Sequence, residues 1–523
     1  MRDFHRPGRS AVHAANGMCA TSHPLAAKVA VQMLEAGGNA MDAALAGAVL
    51  LGICEPHMTG IGGDCFVLFN PPGEDRVLAL NGSGRAPAGI DADTLRAKGG
   101  VIAPYSADAV SVPGAVDAFC RLSRDWGKLG LKAVLAPAIH YAETGVPVAE
   151  RVASDWAQVD HLSGVARDLF LMGGQAPRPG QIFSAPGQAE VLRRIAMQGR
   201  AGFYEGEVAE DMVTALRARG GAHSLEDFAA TACDYADPVS GGYGGLDLFE
   251  HPPNGQGATA ILLLNILKHF DIASMDPWGA QRAHIEAEAT KLAYDTRNRF
   301  MADPDHMARL DHMLSADTAA QLAALIDPAR AMPAGLPGAE AVHKDTVYIT
   351  VVDKDRMAVS LIYSLFHAFG SGIASDKFGI MFQNRGAGFT LEQGHPNEVG
   401  PGKRPMHTII PAMLKKDGKV MMSFGVMGGQ YQSTGHARFL SNITDFGLSP
   451  QAAIDAPRCF ADGNVLNVED GYGDAVKAAL VDLGHKVQRP DTAMGGAQAI
   501  LIHEDGVLEA GSDPRKDGCA LGY

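Results

Sequence analysis

Residues 344–364 read KDTVYITVVDKDRMAVSLIYS, and this stretch decides the fold class. Its two apolar parts, at 346–353 and 357–364, are rich in β-branched and aromatic residues, which favour strands. Polar residues at 354–356 separate them and are typical of a turn. The stretch therefore predicts a β-hairpin. It follows AMPAGLPGAE at 331–340, which has the composition of a linker.

The junction of linker and hairpin, Asp345-Thr346, holds a candidate nucleophile. A threonine hydroxyl is a poor nucleophile without a base, and the α-amine of an N-terminal threonine is one such base. That amine titrates near ~7.7–8.0, so it accepts a proton at neutral pH. The chemistry requires the chain to be cut before Thr346. The alternative is an ordinary strand threonine, because threonine favours strands.

The rest of the chain divides into a helical first two-thirds and a β-rich last third. Apolar residues at helical spacing predict helices at 24–36 and 40–51, the second capped by Asn39. Residues 113–330 are mostly helical in pattern, most clearly at 283–299. The other predicted elements are a strand at 65–69, hairpins of 409–414 with 420–424 and of 499–503 with 507–510, and a helix at 432–446.

Composition excludes several classes of function. Hydrophobic residues make up 46% of the 523 positions, as in ordinary globular proteins. The net charge of −15 argues against a nucleic-acid partner and against an anionic membrane. The longest apolar stretch, 43–54, is too short to span a bilayer, and no signal peptide is predicted, so a cytoplasmic location is expected. The seven cysteines lack a CxxC motif, and no motif indicates a cofactor or a metal ion, so neither is expected.

Short motifs along nearly the whole chain resemble those of gamma-glutamyltransferases in order and spacing. The segment 344–364 is similar to the start of that family's small subunit, where a threonine precedes a strand that ends in VVD. The C-terminal SDPRKDGCALGY is close to the family's C-terminal signature. The other motifs are GGNAMDAAL (37–45), GIGGDCF (60–66), SVPGAVDAF (111–119), HPPNGQG (251–257), KLAYDTR (291–297), GPGKRPMHTIIPAM (400–413) and GVMGGQ (425–430).

The resemblance implies an α/β (α+β) Ntn-hydrolase fold, a four-layer αββα sandwich with two stacked antiparallel sheets. It also implies a precursor that cuts itself before Thr346. Residues 1–345 would form the large subunit, and residues 346–523 would form the small subunit. The two fragments would interleave as one structural unit, a heterodimer, and a dimer of heterodimers is one arrangement open to it.

The resemblance assigns four residues to catalysis. Thr346 matches the family's nucleophile. Ser364 stands where the family has a threonine that hydrogen-bonds the nucleophile, and its hydroxyl keeps a donor and an acceptor. Gly428 and Gly429 match the pair whose backbone N–H groups form the oxyanion hole, where a bare backbone can approach closely. The alternatives are a plain strand serine and a simple glycine turn.

The positions that bind the substrate's α-ammonium in the family differ in this chain. Phe366 stands at a position that is commonly asparagine, and Arg385 stands where an amide or an acid is expected. Gly388 replaces the ammonium-binding aspartate. An ammonium beside Arg385 without a carboxylate would be repelled and poorly solvated. A γ-glutamyl group is therefore expected to bind poorly.

Four side chains form a candidate site for a substrate carboxylate. His407 and Thr408 replace the family's serine pair after KRP. The family's carboxylate-binding arginine aligns with Ser83, and Arg85 lies two residues further on. Because arginine binds a carboxylate through two parallel bonds, Arg85 and Arg385 are candidate ligands together with His407 and Thr408. The alternative for both arginines is a surface or structural ion pair.

This pattern resembles the oxamate amidohydrolase branch of the family, which splits oxamate into oxalate and ammonia. We expect hydrolysis of a small carboxylate-bearing amide such as oxamate by an N-terminal threonine. Three alternatives stay open. They are a glutathione hydrolase or transpeptidase, an acylase for another amide such as a glutaryl-type side chain, and an unprocessed, inactive homologue that acts as a binding protein.

Overall fold

The computed structural model describes His5, residues 8–332 and residues 344–523, with the backbone alone at positions 344 and 345. Residues 333–343, which include most of the predicted linker at 331–340, lie outside the described residues. So do residues 1–4, 6 and 7, which belong to the N-terminal segment where no signal peptide is predicted.

Strands from both ends of the sequence contribute to the fold. In chain order, the described strands are β1 (Val12–Ala14), β2 (Met18–Thr21), β3 (Asp64–Asn70), β4 (Leu78–Gly82), β5 (Val146–Pro147), β6 (Ile182–Phe183), β7 (Asp234–Ala236), β8 (Val239–Tyr243), β9 (Leu246–Glu250), β10 (Lys344–Val352), β11 (Ala358–His367), β12 (Ala412–Lys416), β13 (Lys419–Met427), β14 (Cys459–Asp462), β15 (Val465–Val468), β16 (Val487–Gln488), β17 (Gly496–Ile502), β18 (Leu508–Ser512) and β19 (Cys519–Gly522).

Helices flank these strands, and within the described chain none of them is long and apolar enough to cross a membrane. They are α1 (Pro24–Glu35), α2 (Ala40–Cys54), α3 (Ala92–Lys98), α4 (Ala115–Trp126), α5 (Leu131–Thr144), α6 (Glu150–Trp156), α7 (Val165–Phe170), α8 (Pro186–Gln198), α9 (Ala201–Tyr204), α10 (Gly206–Arg217), α11 (Leu225–Ala229), α12 (Gly257–Leu267), α13 (Ala280–Phe300), α14 (Leu310–Leu314), α15 (Ala316–Ala323), α16 (Gln432–Thr444), α17 (Pro450–Asp455) and α18 (Asp474–Asp482).

Two antiparallel sheets, each of seven strands among the described residues, form the centre of the molecule. The first has the order β19-β2-β10-β11-β3-β4-β7, and the second has the order β1-β18-β17-β13-β12-β9-β8. The predicted hairpin of β10 and β11 is confirmed, and it lies in the middle of the first sheet. Its strands are buried because sheets and helices cover both faces.

The layers follow the predicted αββα order. Helices α1 and α2 pack on the outer face of the first sheet, and α12, α13 and α16 form a core with the outer face of the second. Between the sheets, Tyr348 and Ile362 of the hairpin meet Phe66, Ile409 and Met427. The hairpin therefore contributes to the helix-covered face and to the sheet-to-sheet interface.

Helix α2 shows how local sequence sets an element's start. The Asn39 side chain accepts a hydrogen bond from the Asp42 N–H at 3.1 Å, and the Asp42 carboxylate accepts one from the Asn39 N–H at 3.1 Å. This reciprocal cap confirms the predicted start at Ala40. The helix ends at Cys54, three residues beyond the predicted end, and Glu55, which precedes Pro56, leaves the helical conformation with φ of −128°.

The expectation of mostly helical structure across 113–330 is wrong for residues 234–250. This segment forms β7, at the edge of the first sheet, and the hairpin of β8 and β9 in the second. Gly244 and Gly245 make the two-residue turn with φ of 56° and 80°, a conformation that glycine favours. Two further glycines within β8 weaken its strand signal, so tertiary pairing decides the outcome.

Candidate functional site

Thr346 lies near the start of β10, where the register with β11 shifts between Asp345 and Val347. Its side chain is 2% exposed, and its hydroxyl donates to Ser364 Oγ at 3.3 Å. Ser364 lies on the neighbouring strand β11, so the sheet itself brings the two hydroxyls together. The predicted pairing of these two residues is thus present in the structure.

Ser364 Oγ also accepts bonds from two other groups. The Phe366 N–H donates at 2.8 Å, and Arg385 Nη2 donates at 3.5 Å. Phe366 has φ of 84°, an uncommon conformation for a residue with a side chain, and such residues often mark functional sites. The Ser364 hydroxyl thus contacts both the backbone of its own strand and the guanidinium of Arg385, 21 residues further along the chain.

Arg385 is fully buried, and its guanidinium lies 3.9 Å from the Phe366 ring centroid. Its Nη1 donates to Thr408 Oγ1 at 3.0 Å, while Nε has no hydrogen-bond partner among the described residues. Burial lowers the pKa of Arg385 to about 9, and the Asp64 carboxylate opposes that shift. The group is therefore a cation at neutral pH. Within the described chain, no carboxylate lies within 4 Å of it.

Asp64 is a buried group that the sequence motifs did not single out. One of its oxygens accepts bonds from the N–H groups of Gly84 and Gly114 at 2.9 and 3.1 Å and from Gln383 Nε2 at 2.8 Å. Its other oxygen lies 3.2 Å from His407 Nε2. Burial raises the pKa of Asp64 to about 6, although the Gly84 N–H counteracts it.

His407 is buried between Asp64 and the Phe66 ring, whose centroid is 4.7 Å away. Burial, and then the charge of Arg385, hold its pKa well below the ordinary value. Its imidazole is therefore neutral at pH 7. Nδ1 has no partner among the described residues, so His407 offers a hydrogen-bonding atom rather than a charge.

Gly428 and Gly429, the pair predicted to form the oxyanion hole, lie in a tight turn directly after β13. Gly428 and Gly429 have φ of 114° and 55°, and a Cβ at Gly428 would lie 2.8 Å from the Gly495 backbone. The Gly428 carbonyl accepts the Tyr431 N–H at 3.0 Å. This turn packs against β10, the strand of Thr346.

Arg85 is not brought to these residues. Its guanidinium donates to the Gly402 carbonyl at 3.0 Å and lies 3.5 Å from Asp303 and 3.7 Å from Asp234. The side chain is 40% exposed. These contacts favour the alternative of a structural ion pair, and its role as a carboxylate ligand stays a prediction.

Two groups of side chains in the described chain have the ligand types of a metal site, but both lie apart from Thr346. One is exposed: His13, His503 and Glu509. The other is buried: His284, Glu288 and His485. In the buried group the two imidazoles hydrogen-bond each other at 2.8 Å, and Lys291 lies 2.6 Å from the carboxylate. The polar atoms of the buried group thus have protein partners.

Comparisons with known proteins agree on one family. A family model described as gamma-glutamyltranspeptidase matches residues 26–523. The chain is 36% identical to the glutathione hydrolase-like YwrD proenzyme of Bacillus subtilis and 35% identical to the oxamate amidohydrolase proenzyme of Klebsiella pneumoniae, in both cases over 97% of this chain and 98% of the relative. A crystal structure of cephalosporin acylase from Bacillus halodurans superposes with a TM-score of 0.93 at 38% identity, over 100% of this chain and 99% of that one.

The raised pKa of Asp64 predicts a pH-dependent cost in stability. A carboxyl with a folded pKa of about 6 and an ordinary value of 3.8 holds its proton more tightly in the folded state. The free-energy cost of burying the charged carboxylate is absent below pH ~4, where the group is protonated in the folded state and largely so in the unfolded state. It is complete above pH ~6, where the group is ionised in both states. The free energy of unfolding of the wild type, relative to Asp64→Asn, should therefore fall by about 3 kcal/mol across that window. Urea unfolding of both proteins from pH 4 to 7 measures it, and a constant difference would contradict it.

Proposed function

This chain belongs to the gamma-glutamyltranspeptidase family, and we propose that its amidohydrolase activity uses Thr346 as an N-terminal nucleophile, released by cleavage after Asp345. The observation that carries the proposal is the contact of Thr346 Oγ1 with Ser364, a hydroxyl that also accepts from the buried guanidinium of Arg385. Two relatives are named proenzymes, which supports cleavage of this chain as well.

In the proposed reaction, the freed α-amine of Thr346 takes the hydroxyl proton as Oγ1 attacks the amide carbon. Ser364 holds Oγ1 by hydrogen bonding. The N–H groups of Gly428 and Gly429 stabilise the oxyanion. The C–N bond breaks, the amine passes its proton to the leaving nitrogen, and an ester remains on Thr346. Water, deprotonated by the same amine, then attacks the ester and releases the acid.

Arg385 is proposed to bind a carboxylate on the acyl part of the substrate. A buried guanidinium without a carboxylate partner is costly, and a substrate carboxylate would supply that partner through paired charge-assisted bonds. Thr408 and the neutral His407 add hydrogen-bonding capacity at neighbouring positions. Phe366 covers one face of the guanidinium and so fixes the plane in which it presents its N–H groups.

The same pocket disfavours an α-ammonium group. Arg385 repels it, and Phe366 offers it no acceptor side chain. At Gly388, a Cβ would lie 2.7 Å from the Met406 carbonyl oxygen, so this backbone has no room for the family's aspartate. The proposed substrate therefore carries a carboxylate and lacks an amino group.

A short acyl group fits best, and we propose oxamate. The Thr346 hydroxyl and the Arg385 guanidinium each lie within 3.5 Å of Ser364 Oγ, so little space separates the attacked carbon from the bound carboxylate. In oxamate these two carbons are bonded directly. Hydrolysis would convert oxamate and water into oxalate and ammonia.

A glutaryl-type acylase is the second candidate. The similarity to the crystal structure of cephalosporin acylase from Bacillus halodurans favours it, because the TM-score is 0.93 over the whole chain. A glutaryl group also carries a carboxylate and no amino group, so Arg385 would serve it equally. The two candidates differ in the distance that the acyl chain must span between Thr346 and Arg385.

The two fragments are proposed to remain together after cleavage as a heterodimer. In the first sheet β10 lies between β11 and β2, and β11 lies beside β3. Strands from the two sides of position 346 are thus neighbours at β19–β2, β2–β10 and β11–β3, and separation would expose the buried edges of several strands.

Cleavage is tested on a denaturing gel and by N-terminal sequencing. Wild type should give two fragments, the smaller beginning Thr-Val-Tyr, and Thr346→Ala should stay as one chain because it lacks the nucleophile. Thr350→Ala is the matched control, since Thr350 lies on the same strand but donates to Ser423 at 2.7 Å. It should still be cut. An intact wild type with full activity would rule out the N-terminal nucleophile.

Substrate choice is tested with two matched pairs of amides. Glutaryl-p-nitroanilide and γ-glutamyl-p-nitroanilide differ only in the α-amino group, and kcat/KM should favour the first by about a hundredfold, because a buried ammonium without a counter-ion costs several kcal/mol. Oxamate and glutaric acid monoamide differ only in acyl length, and oxamate should be preferred. A higher kcat/KM for the γ-glutamyl compound would contradict the proposal and support a glutathione hydrolase. A higher kcat/KM for the glutaryl monoamide than for oxamate would support the glutaryl-type acylase.

The same assay separates the two arginines. Arg385→Lys keeps the charge but loses the planar pair of donors, so kcat/KM for the preferred substrate should fall about tenfold or more. Arg85→Ala should change it by less than about threefold, because its contacts are with Asp303, Asp234 and Gly402. An equal loss in both variants would place Arg85 at the carboxylate after all.

A further inference from the structure

The side-chain amide of Gln256 connects the two halves of the proposed site. Its Nε2 donates to the Thr408 carbonyl at 2.7 Å and to the Gly429 carbonyl at 3.2 Å. Gln256 is fully buried, and its backbone N–H donates to the His407 carbonyl at 3.1 Å. One amide group therefore links the glycine turn to the segment that presents Thr408 to Arg385.

Arg297, on α13, determines which way that amide points. Its Nη1 donates to Gln256 Oε1 at 2.7 Å and to Gln430 Oε1 at 2.5 Å. A guanidinium has only donors, so the Gln256 oxygen must face Arg297 and the NH₂ group must face the two carbonyls. A flipped amide would place its donors against Arg297 and its oxygen against Gly429 and Thr408.

The chemistry of Arg297 is unusual for a residue that only stabilises the fold. It is 2% exposed, and its hydrogen-bond acceptors are the amide oxygens of Gln256, Gln430 and Asn298. Within the described chain no carboxylate lies within 4 Å of it; Asp462 acts on it electrostatically from farther away. A buried cation without a paired carboxylate costs stability, which indicates a role beyond packing.

The bonds around the glycine turn fix its peptide planes. The Gly428 carbonyl accepts the Tyr431 N–H, and the Gly429 carbonyl accepts both Gln256 Nε2 and the Gln432 N–H. Because a peptide's N–H and C=O point in opposite directions, holding the Gly428 carbonyl also aims the Gly429 N–H. The Tyr294 hydroxyl, also on α13, donates to the Gln430 carbonyl and holds the next peptide.

We infer that Gln256 and Arg297 are positioning residues, which hold the Gly428–Gly429 turn in register with Thr408 so that oxyanion and carboxylate are bound at a fixed separation. This inference rests on the proposed function, because it takes the turn as the oxyanion hole. Neither residue needs to touch the substrate. Their effect should appear in the transition state, where the oxyanion forms, more than in ground-state binding.

Gln256→Glu separates positioning from structural support. The carboxylate still accepts from Arg297 and pairs with its charge, so the variant should fold, with a melting temperature near that of the wild type. It has no proton for the Gly429 and Thr408 carbonyls and repels both oxygens. Since removing one oxyanion donor costs about 10²–10³ in kcat, misdirecting the turn should lower kcat about 10- to 100-fold and change KM less than about threefold.

Arg297→Lys is compared with Arg282→Lys, a matched control on the same helix. Arg282 is 1% exposed and donates to Glu286 at 2.8 Å, to the Pro277 carbonyl at 3.1 Å and to Ser441 at 3.2 Å, so its bonds, unlike those of Arg297, do not go to Gln256 or Gln430. Both substitutions should lower the melting temperature. Only Arg297→Lys should lower kcat, because a lysine cannot hold the Gln256 and Gln430 oxygens together in one plane.

All rates are read on whichever amide the wild type hydrolyses, so a wrong substrate assignment leaves the comparison intact. A wild-type kcat in Gln256→Glu, or equal losses of kcat in the two arginine variants, would overturn the inference. Activity that survives Thr346→Ala would instead overturn the proposed nucleophile, and the ratio of Gln256→Glu to wild type would still report on the turn.

Discussion

The burial of the Arg385 guanidinium against the Phe366 ring, one hydroxyl away from Thr346, is the interaction on which the rest of the site depends. In the proposed function, this cation sets the sign of the charge that the pocket accepts. The polar groups around Arg385 stabilise its charge. The Thr408 hydroxyl accepts a hydrogen bond from the guanidinium, and the Asp64 carboxylate opposes the lowering of the Arg385 pKa. On the same proposal, an acid at position 385 would reverse that preference, and an amide would remove it.

The fold supplies the precision that this arrangement needs. Thr346 and Ser364 meet because β10 and β11 pair in the centre of a sheet that is covered on both faces. The glycine turn follows β13 of the second sheet and packs against β10. Arg297, on helix α13 at the outer face of the second sheet, donates to the side chain of Gln430, the residue after the turn. Both sheets and one helix layer of the sandwich thus contribute to the candidate site, while Arg385 and Thr408 come from the segment between β11 and β12 and are buried there.

Local patterns predicted the elements whose causes are local. The apolar composition of 346–353 and 357–364 predicted the central hairpin, and Asn39 with Asp42 predicted the start of α2. The hairpin of β8 and β9 escaped prediction, although its Gly-Gly turn was visible, because two more glycines weaken β8 as a strand. Its stability comes from neighbours that are distant in the sequence.

The residues of the candidate site were predicted only where an alignment to the family's motifs assigned them a role. Thr346, Ser364 and Arg385 were found by motif and lie in contact through one hydroxyl. Asp64 was missed because its partners lie 20, 50 and 319 residues away, at Gly84, Gly114 and Gln383. No spacing rule joins such positions. The side-chain direction of Arg85 was equally inaccessible, since it depends on Asp303 and Asp234.

The proposed reaction transfers a carboxylate-bearing acyl group to the hydroxyl of Thr346. Mass spectrometry of acid-quenched enzyme tests it most directly, with the p-nitroanilide of oxalic acid as substrate, because a good leaving group lets the acyl-enzyme accumulate. After tryptic digestion, the peptide TVYITVVDK, residues 346–354, should carry an oxalyl group, and Arg385→Lys should reduce its yield. Rapid turnover with that peptide unmodified, or an oxalyl group on any other peptide, would contradict the account.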